Sequence, residues 1–325
     1  MHLIGSRRGA RGPVAPDEEA ARAIARLELD DTLARARAGG VEKALARLVA
    51  NLAAVRADSA PETWSRVMAA ARAHPLRGFM HLDPFTLRCY ARPRGHAADA
   101  TALDFMLRPR EIAGPIADPA AALHQCMIRG QTARALRFRR DALARAIDET
   151  AARCDRLARI FAAACGHLRE CDAVTAFGSK RIHQVIAFDT DRENLERVRH
   201  DYANLPVITS LGSVRELVRA EHVFGEMDLV YCAGLMETLP HPAAASVARA
   251  LFSMLRHGGS LVVTQFLDGL AEAALLETYM DWPMVYRSKT ETIALVQELL
   301  PDSVSEWSFV EDAERTMAIV TLHRR

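Results

Sequence analysis

Residues 159–170 read RIFAAACGHLRE. Ile160, Phe161 and the alanines make a short apolar run, and Gly166 breaks it. That is the pattern of a buried strand ending in a turn. The next such run, VIAFD at 185–189, ends on an acid and is followed by a helix that opens at Asp191. The alternation then continues. PVITS (206–210) precedes a helix near 213–222, and MDLVYCAG (227–234) precedes a helix at 242–256. Gly258-Gly259 turns into SLVVTQF (260–266), and helices at 270–280 and 289–299 lead to SEWSFV (305–310) and MAIVTLH (317–323). Strands alternating with helices predict an α/β, Rossmann-like fold with a mostly parallel sheet covered on both faces. The last two strands, joined by the charged turn EDAER, predict an antiparallel hairpin at the end of the sheet.

Upstream the pattern is helical. Leu27, Leu29, Leu33 and then Val41, Leu45, Leu48, Val49, Leu52 and Val55 recur at three- and four-residue steps. Gly39-Gly40 separates two helices, and Ser59-Ala60-Pro61 starts a third with an N-cap and an early proline. Residues 74–120 mix His, Arg, Asp, Pro and aromatic residues without a helix or strand period, so they read as a long functional loop. Residues 121–155 return to helix. The expected organisation is a flexible tail over 1–16, a helical cap with a substrate loop over 17–129, and a ligand-binding Rossmann-like domain over 130–325.

Composition excludes several classes. The 325 residues carry 42 Lys and Arg against 41 Asp and Glu, so no net field favours nucleic acid or a membrane surface. No window approaches the roughly 18 apolar residues of a membrane helix. The start, MHLIGSRRGARG, lacks the apolar core of a secretory signal. Six cysteines without CxxC spacing suit a reduced cytoplasmic protein. The expected partner is a small-molecule substrate, and the oligomeric state stays open.

In a doubly wound sheet, ligands bind at the carboxyl ends of the strands near the switch point. Four stretches fall there. Ala164, Cys165 and Gly166, with Arg169 and Glu170, follow the first strand. Asp189 and Thr190 end the second, where a carboxylate can accept both ribose hydroxyls of a nucleoside. Gly212, Ser213 and Val214 follow the third, where an adenine edge can lie. Ala233 and Gly234 end the fourth with small residues that admit a ligand to the backbone. One glycine is a weak signal; an acid at the end of the next strand strengthens it. The missing GxGxxG argues against a dinucleotide, because nothing cradles a pyrophosphate. A nucleoside without phosphates fits, and S-adenosylmethionine (SAM) is such a ligand. Asp191 suits the helix N-cap better than Asp189 does. Cys165 and His167 make no metal site, which would need three or four ligands; Cys165 reads as a small residue packed beside the cofactor.

This order of features resembles the class I SAM-dependent methyltransferases. The segments ACGHLRE, VIAFDTDRENL, GSVREL, DLVYCAGLMETL, FSMLRHGGSLVVTQF and YMDWPMVYR are similar to one bacterial subfamily. That subfamily is associated with biosynthesis of the methyl ester of 3-hydroxypalmitic acid, a quorum signal. The upstream block HLDPFTLRCYARPRGHAADATALDF is also similar, so the resemblance covers about residues 74–325. Relatives include SAM cyclases that close the methionine part of SAM into azetidine-2-carboxylate. The subfamily carries Tyr where this chain has His96, Gly at Ala98 and Asn at Phe138.

The resemblance implies a sheet of the class I methyltransferase type beneath an N-terminal helical cap, with SAM as cofactor. Glu170 would hold its α-amino group and Arg169 its carboxylate. His96 is the first candidate for a general base, with Tyr90 beside it. Arg94 and Asp99 either brace the loop or touch substrate. Tyr231, Tyr286 and Trp282 offer aromatic faces to the sulfonium. Three activities remain open: methyl transfer to a carboxylate or hydroxyl of a small or lipid-like acceptor, cyclisation of SAM on the same site, and SAM binding without turnover.

Overall fold

A computed structural model describes residues 16–109, 119–219, 224–297 and 303–325. Seven strands form one sheet: β1 (Ala158–Ala163), β2 (Ile182–Asp189), β3 (Val207–Leu211), β4 (Met227–Cys232), β5 (Leu255–Phe266), β6 (Val304–Glu311) and β7 (Met317–Arg324). Their order is β3-β2-β1-β4-β5-β7-β6. Neighbours from β3 to β5 pair in parallel, and β7 runs antiparallel to both β5 and β6. The expected α/β, Rossmann-like sheet with its antiparallel last strand is the observed one. Strand order reverses between β1 and β4, which opens a crevice at their carboxyl ends.

The central strands are unbroken apolar runs because helices cover both faces. Every residue of β4 is buried. On one face Phe161, Phe188 and Val230 pack with Ala248, Leu251 and Phe252 of helix His241–Ser253. On the other face Ile160, Ala162 and Leu229 join a single cluster that continues into Leu48 and Leu52 of helix Val41–Asp58. The N-terminal helices and this sheet face therefore share one core. Glu277, on helix Ala273–Tyr279, strengthens the junction by accepting hydrogen bonds from Arg56 at 2.8 and 2.9 Å and from the Trp64 indole at 2.9 Å.

Several local expectations are corrected. The supposed loop over 74–120 contains helices Leu76–Met80, Pro84–Ala91 and Ala100–Leu107 among its described residues. Each is too short to show a period. Asp83 starts the second by accepting from Phe85 N and Thr86 N, and Asp99 starts the third by accepting from Ala102 N. His124 is buried, with Nδ1 2.6 Å from Asp83. Residues 121–155 divide at Gly130 into helices Ala120–Arg129 and Gln131–Arg153. Glu272 caps the second by accepting from Gln131 N and Thr132 N, and a Cβ at Gly130 would sit 2.3 Å from its carboxylate. Ala60, not Ser59, is the N-cap of helix Pro61–Ala73. Gly258 and Gly259 lie within β5, at a register shift against β4, rather than before the strand. The tail expected over 1–16 lies, apart from Pro16, outside the described residues. No helix among the described residues is long and apolar enough to cross a membrane.

Candidate functional site

The chain leaves β1 through a tight turn in which Ala164, Gly166 and Leu168 all have positive φ, at 51, 53 and 55°. Asp189, at the end of β2, holds this turn. Its Oδ2 accepts Gly166 N–H at 2.8 Å and its Oδ1 accepts Asp191 N–H at 2.8 Å. Asp191 itself caps helix Arg192–Asp201. The two acids therefore divide the work: one starts the helix, the other faces the crevice with lone pairs to spare.

A cavity of about 450 Å³ opens over the carboxyl ends of β1, β2 and β4. Of the expected cofactor residues, Ala164, Cys165, Gly166, Arg169, Glu170, Asp189, Thr190, Ala233 and Gly234 line it. Leu103, Leu107, Leu136, Leu143, Phe266, Trp282 and Met284 give it apolar walls. Helix Ala100–Leu107 and helix Gln131–Arg153 thus close it from the N-terminal side.

Gly212, Ser213 and Val214 fall elsewhere. Ser213 and Glu216 form a reciprocal capping box on helix Val214–Val218, and Val214 packs onto the core beneath. The Gly212 N–H is donated to Asp189 O at 3.0 Å. The polar turn after β3 is used by its own helix.

Arg169 is also redirected. Its guanidinium donates to Asp104 at 2.6 and 2.7 Å and to Asp201 at 2.6 Å, so its donors are engaged within the protein. His167 Nδ1 lies 2.8 Å from the same Asp104 carboxylate. Burial would raise the Asp104 carboxyl, but hydrogen bonds from Arg169 and His167 outweigh it and hold the group below the usual range.

Glu170 is buried against β4, where the Tyr231 hydroxyl donates to it at 2.5 Å. That bond occupies the phenol, so Tyr231 positions Glu170 and does not line the cavity. Burial pushes the Glu170 carboxyl up, while the Tyr231 bond and Arg139 oppose the shift.

The other catalytic candidates separate by position. His96 lies exposed at the cavity mouth. Arg94 pairs with Asp191 and Glu193 and braces the segment against the end of β2. Asp99 accepts from Arg88 at 2.8 and 2.9 Å while capping its helix. Tyr286 is turned toward Arg56, which lies 5.5 Å from its ring centroid. None of Arg94, Asp99 and Tyr286 lines the cavity. Tyr90 packs on the His81 ring at 4.6 Å and does not line it either.

Two residues that the sequence reading missed do line it. Arg139 reaches the floor from helix Gln131–Arg153, and Glu237 follows β4 in the turn Met236–Thr238. Arg139 Nη1 lies 3.9 Å from Glu237 Oε1. Gly234, at φ 86°, admits the guanidinium: a Cβ there would lie 3.1 Å from Arg139 Nη1. Burial lowers the Arg139 pKa, opposed by Glu237 and Glu170. The signal for Arg139 was its place in the buried stripe of Leu136, Ala142 and Leu143. Among the described residues no group of three or more His, Cys, Asp or Glu is arranged to hold a metal.

No family model and no curated protein matches this chain. Among solved structures, a possible exported protein from Bordetella parapertussis aligns over 97% of this chain and 99% of its own, with a TM-score of 0.60 and 14% identity. That likeness speaks to the fold. Magnesium protoporphyrin IX methyltransferase from Synechocystis PCC 6803 with bound SAH aligns over 70% of this chain and 100% of its own, at a TM-score of 0.47 and 10% identity. The N-methyltransferase NodS from Bradyrhizobium japonicum WM9 aligns over 58% of this chain and 95% of its own, at 0.42 and 14%.

Proposed function

We propose that this chain is a SAM-dependent methyltransferase acting on a small molecule. The observation that carries the reading is the junction of Asp189 with Gly166: a carboxylate held at the switch point, facing the cavity, bound to the backbone of the preceding turn. Its remaining lone pairs suit ribose hydroxyls, and the turn approaches as closely as a nucleoside requires. The floor suits an amino acid, with a cation at Arg139 and carboxylates at Glu170 and Glu237. In this reading residues 130–325 form the catalytic domain and 17–129 the cap with the substrate segment.

Bound there, SAM supplies an activated methyl carbon for in-line displacement by an acceptor oxygen. The chain's own part is to orient the reactants and exclude water. Helices Ala100–Leu107 and Gln131–Arg153 supply apolar walls for an aliphatic or aromatic acceptor. A carboxylate acceptor needs no base. A hydroxyl does, and in this reading His96, at the mouth, takes its proton.

Calorimetric titration with SAM and S-adenosylhomocysteine tests the cofactor, and absence of affinity for both would sink the proposal. Mass spectrometry of SAM-derived products, with and without cell extract, then tests the reaction. Methylated product and S-adenosylhomocysteine only with extract support transfer. Methylthioadenosine with azetidine-2-carboxylate from SAM alone would replace transfer by cyclisation on the same site.

A further inference from the structure

The floor of the cavity carries three buried charges from three elements: Arg139, Glu170 and Glu237. Glu170 has a partner in Tyr231. Glu237 is 2% exposed, and neither carboxylate oxygen makes a well-formed hydrogen bond among the described residues, the backbone at Glu237 and Phe266 giving its charge only partial support. Arg139, at 3.9 Å, is beyond hydrogen-bond reach. Arg287 sits nearby but donates to Met236 O, Leu239 O and the Gln265 side chain. An unsatisfied buried carboxylate is among the costlier features a fold can keep. Arg139 and Arg287 both act on Glu237 through space, yet neither guanidinium donates to its carboxylate. Glu237 lies just past the carboxyl end of β4, on the wall of the cavity.

We propose that Glu237 is a ligand-binding residue whose carboxylate receives a positively charged group of SAM, its ammonium or its sulfonium. This rests on the SAM reading above. The bound molecule carries two positive charges and one negative. Arg139 takes its carboxylate and Glu237 one cation. Burial pushes both Glu237 and Glu170 up, with Arg139 opposing at each site and Arg287 also opposing at Glu237. Cys232, the thiol facing Glu237, is pushed up to about 12 by burial and stays neutral. A cation beside Glu237 therefore offsets the cost of burying its charge.

The test is calorimetric titration of the wild type and Glu237→Gln with SAM, S-adenosylhomocysteine and methylthioadenosine. The substitution keeps the shape and removes the charge. SAM affinity is expected to fall roughly ten- to hundredfold, with methylthioadenosine affinity unchanged. An equal fall for S-adenosylhomocysteine assigns the ammonium; an unchanged value assigns the sulfonium. Glu237→Asp, which keeps the charge, is expected to fall between the two. Unchanged SAM affinity in Glu237→Gln, or an equal loss of all three ligands, overturns the assignment. A wild type that binds none of them defeats the methyltransferase reading instead.

Discussion

Asp104 and Arg169 meet in a bidentate pair, Nε to Oδ1 at 2.7 Å and Nη2 to Oδ2 at 2.6 Å. Asp104 belongs to helix Ala100–Leu107 of the N-terminal region, and Arg169 to the turn after β1. Asp104 also meets His167, and Arg169 continues to Asp201 on helix Arg192–Asp201. One buried carboxylate thus ties the roof of the cavity to the turn that forms its edge. Removing it strands a buried guanidinium, which typically costs about 3–5 kcal/mol. Asp201 retains one bond to Arg169, so Asp104→Asn is expected to lose about 3 kcal/mol in urea denaturation. A loss below about 1 kcal/mol would show that the tie contributes little.

The same pair sets a pH dependence. The Asp104 pKa is held below its ordinary value of 3.8 in the folded protein. A depressed carboxyl contributes stability that is present above the unfolded pKa and lost as pH falls through the folded one. Asp201 is depressed as well: burial would raise it, but bonds from Arg197, His200 and Arg169 outweigh that. Stability is therefore expected to hold above about pH 5 and to fall steadily below about pH 4. Urea midpoints measured from pH 6 to pH 2 check this. Asp104→Asn should show a shallower acid limb, and an identical slope would remove Asp104 from the account.

Arg139 separates binding from folding. Its charge is desolvated and its nearer carboxylate stands 3.9 Å away, so the ion contributes little to the free protein. Arg139→Met fills similar space, and the two glutamates beside it can protonate. Thermal stability is expected to stay within about 2 kcal/mol of wild type. SAM affinity is expected to fall about ten- to hundredfold with loss of the charge-assisted bond to its carboxylate. Calorimetry beside a melting curve measures both. Wild-type affinity in a folded Arg139→Met would place the carboxylate elsewhere.

The sheet was legible because its central strands are buried on both faces and so appear as unbroken apolar runs, as in β4. The glycine turn and Asp189 were legible because each ends such a run. The short helices after Asp83 and Asp99 were not, since each has too few residues to show a period, and the second partners that bury these acids, His124 and Arg88, come from other helices. The capping box Ser213-Val214-Arg215-Glu216 is itself written in the sequence, and it engages the Ser213 side chain in its own helix. Arg139 was hidden among the arginines of its helix, where only its place in the buried stripe marks it. Glu237 offered an acid in an apolar turn, and its isolation appears only once the surrounding elements are packed.

Asp189 is the residue on which the cofactor assignment stands or falls. It closes the Gly166 turn and presents its free lone pairs to the cavity. Asp189→Ala removes both roles: two backbone N–H groups lose their acceptor, and the ribose loses its ligand. The first effect is expected to cost about 1–3 kcal/mol of stability. The second should reduce SAM affinity by at least about a hundredfold, because two charge-assisted hydrogen bonds are lost. The substitution should also weaken methylthioadenosine, which keeps the ribose, whereas Arg139→Met should not. That contrast distinguishes the two ends of the site. If Asp189→Ala binds SAM as wild type while melting earlier, Asp189 is only a brace for the turn, and the nucleoside end of the site must be sought elsewhere in the cavity.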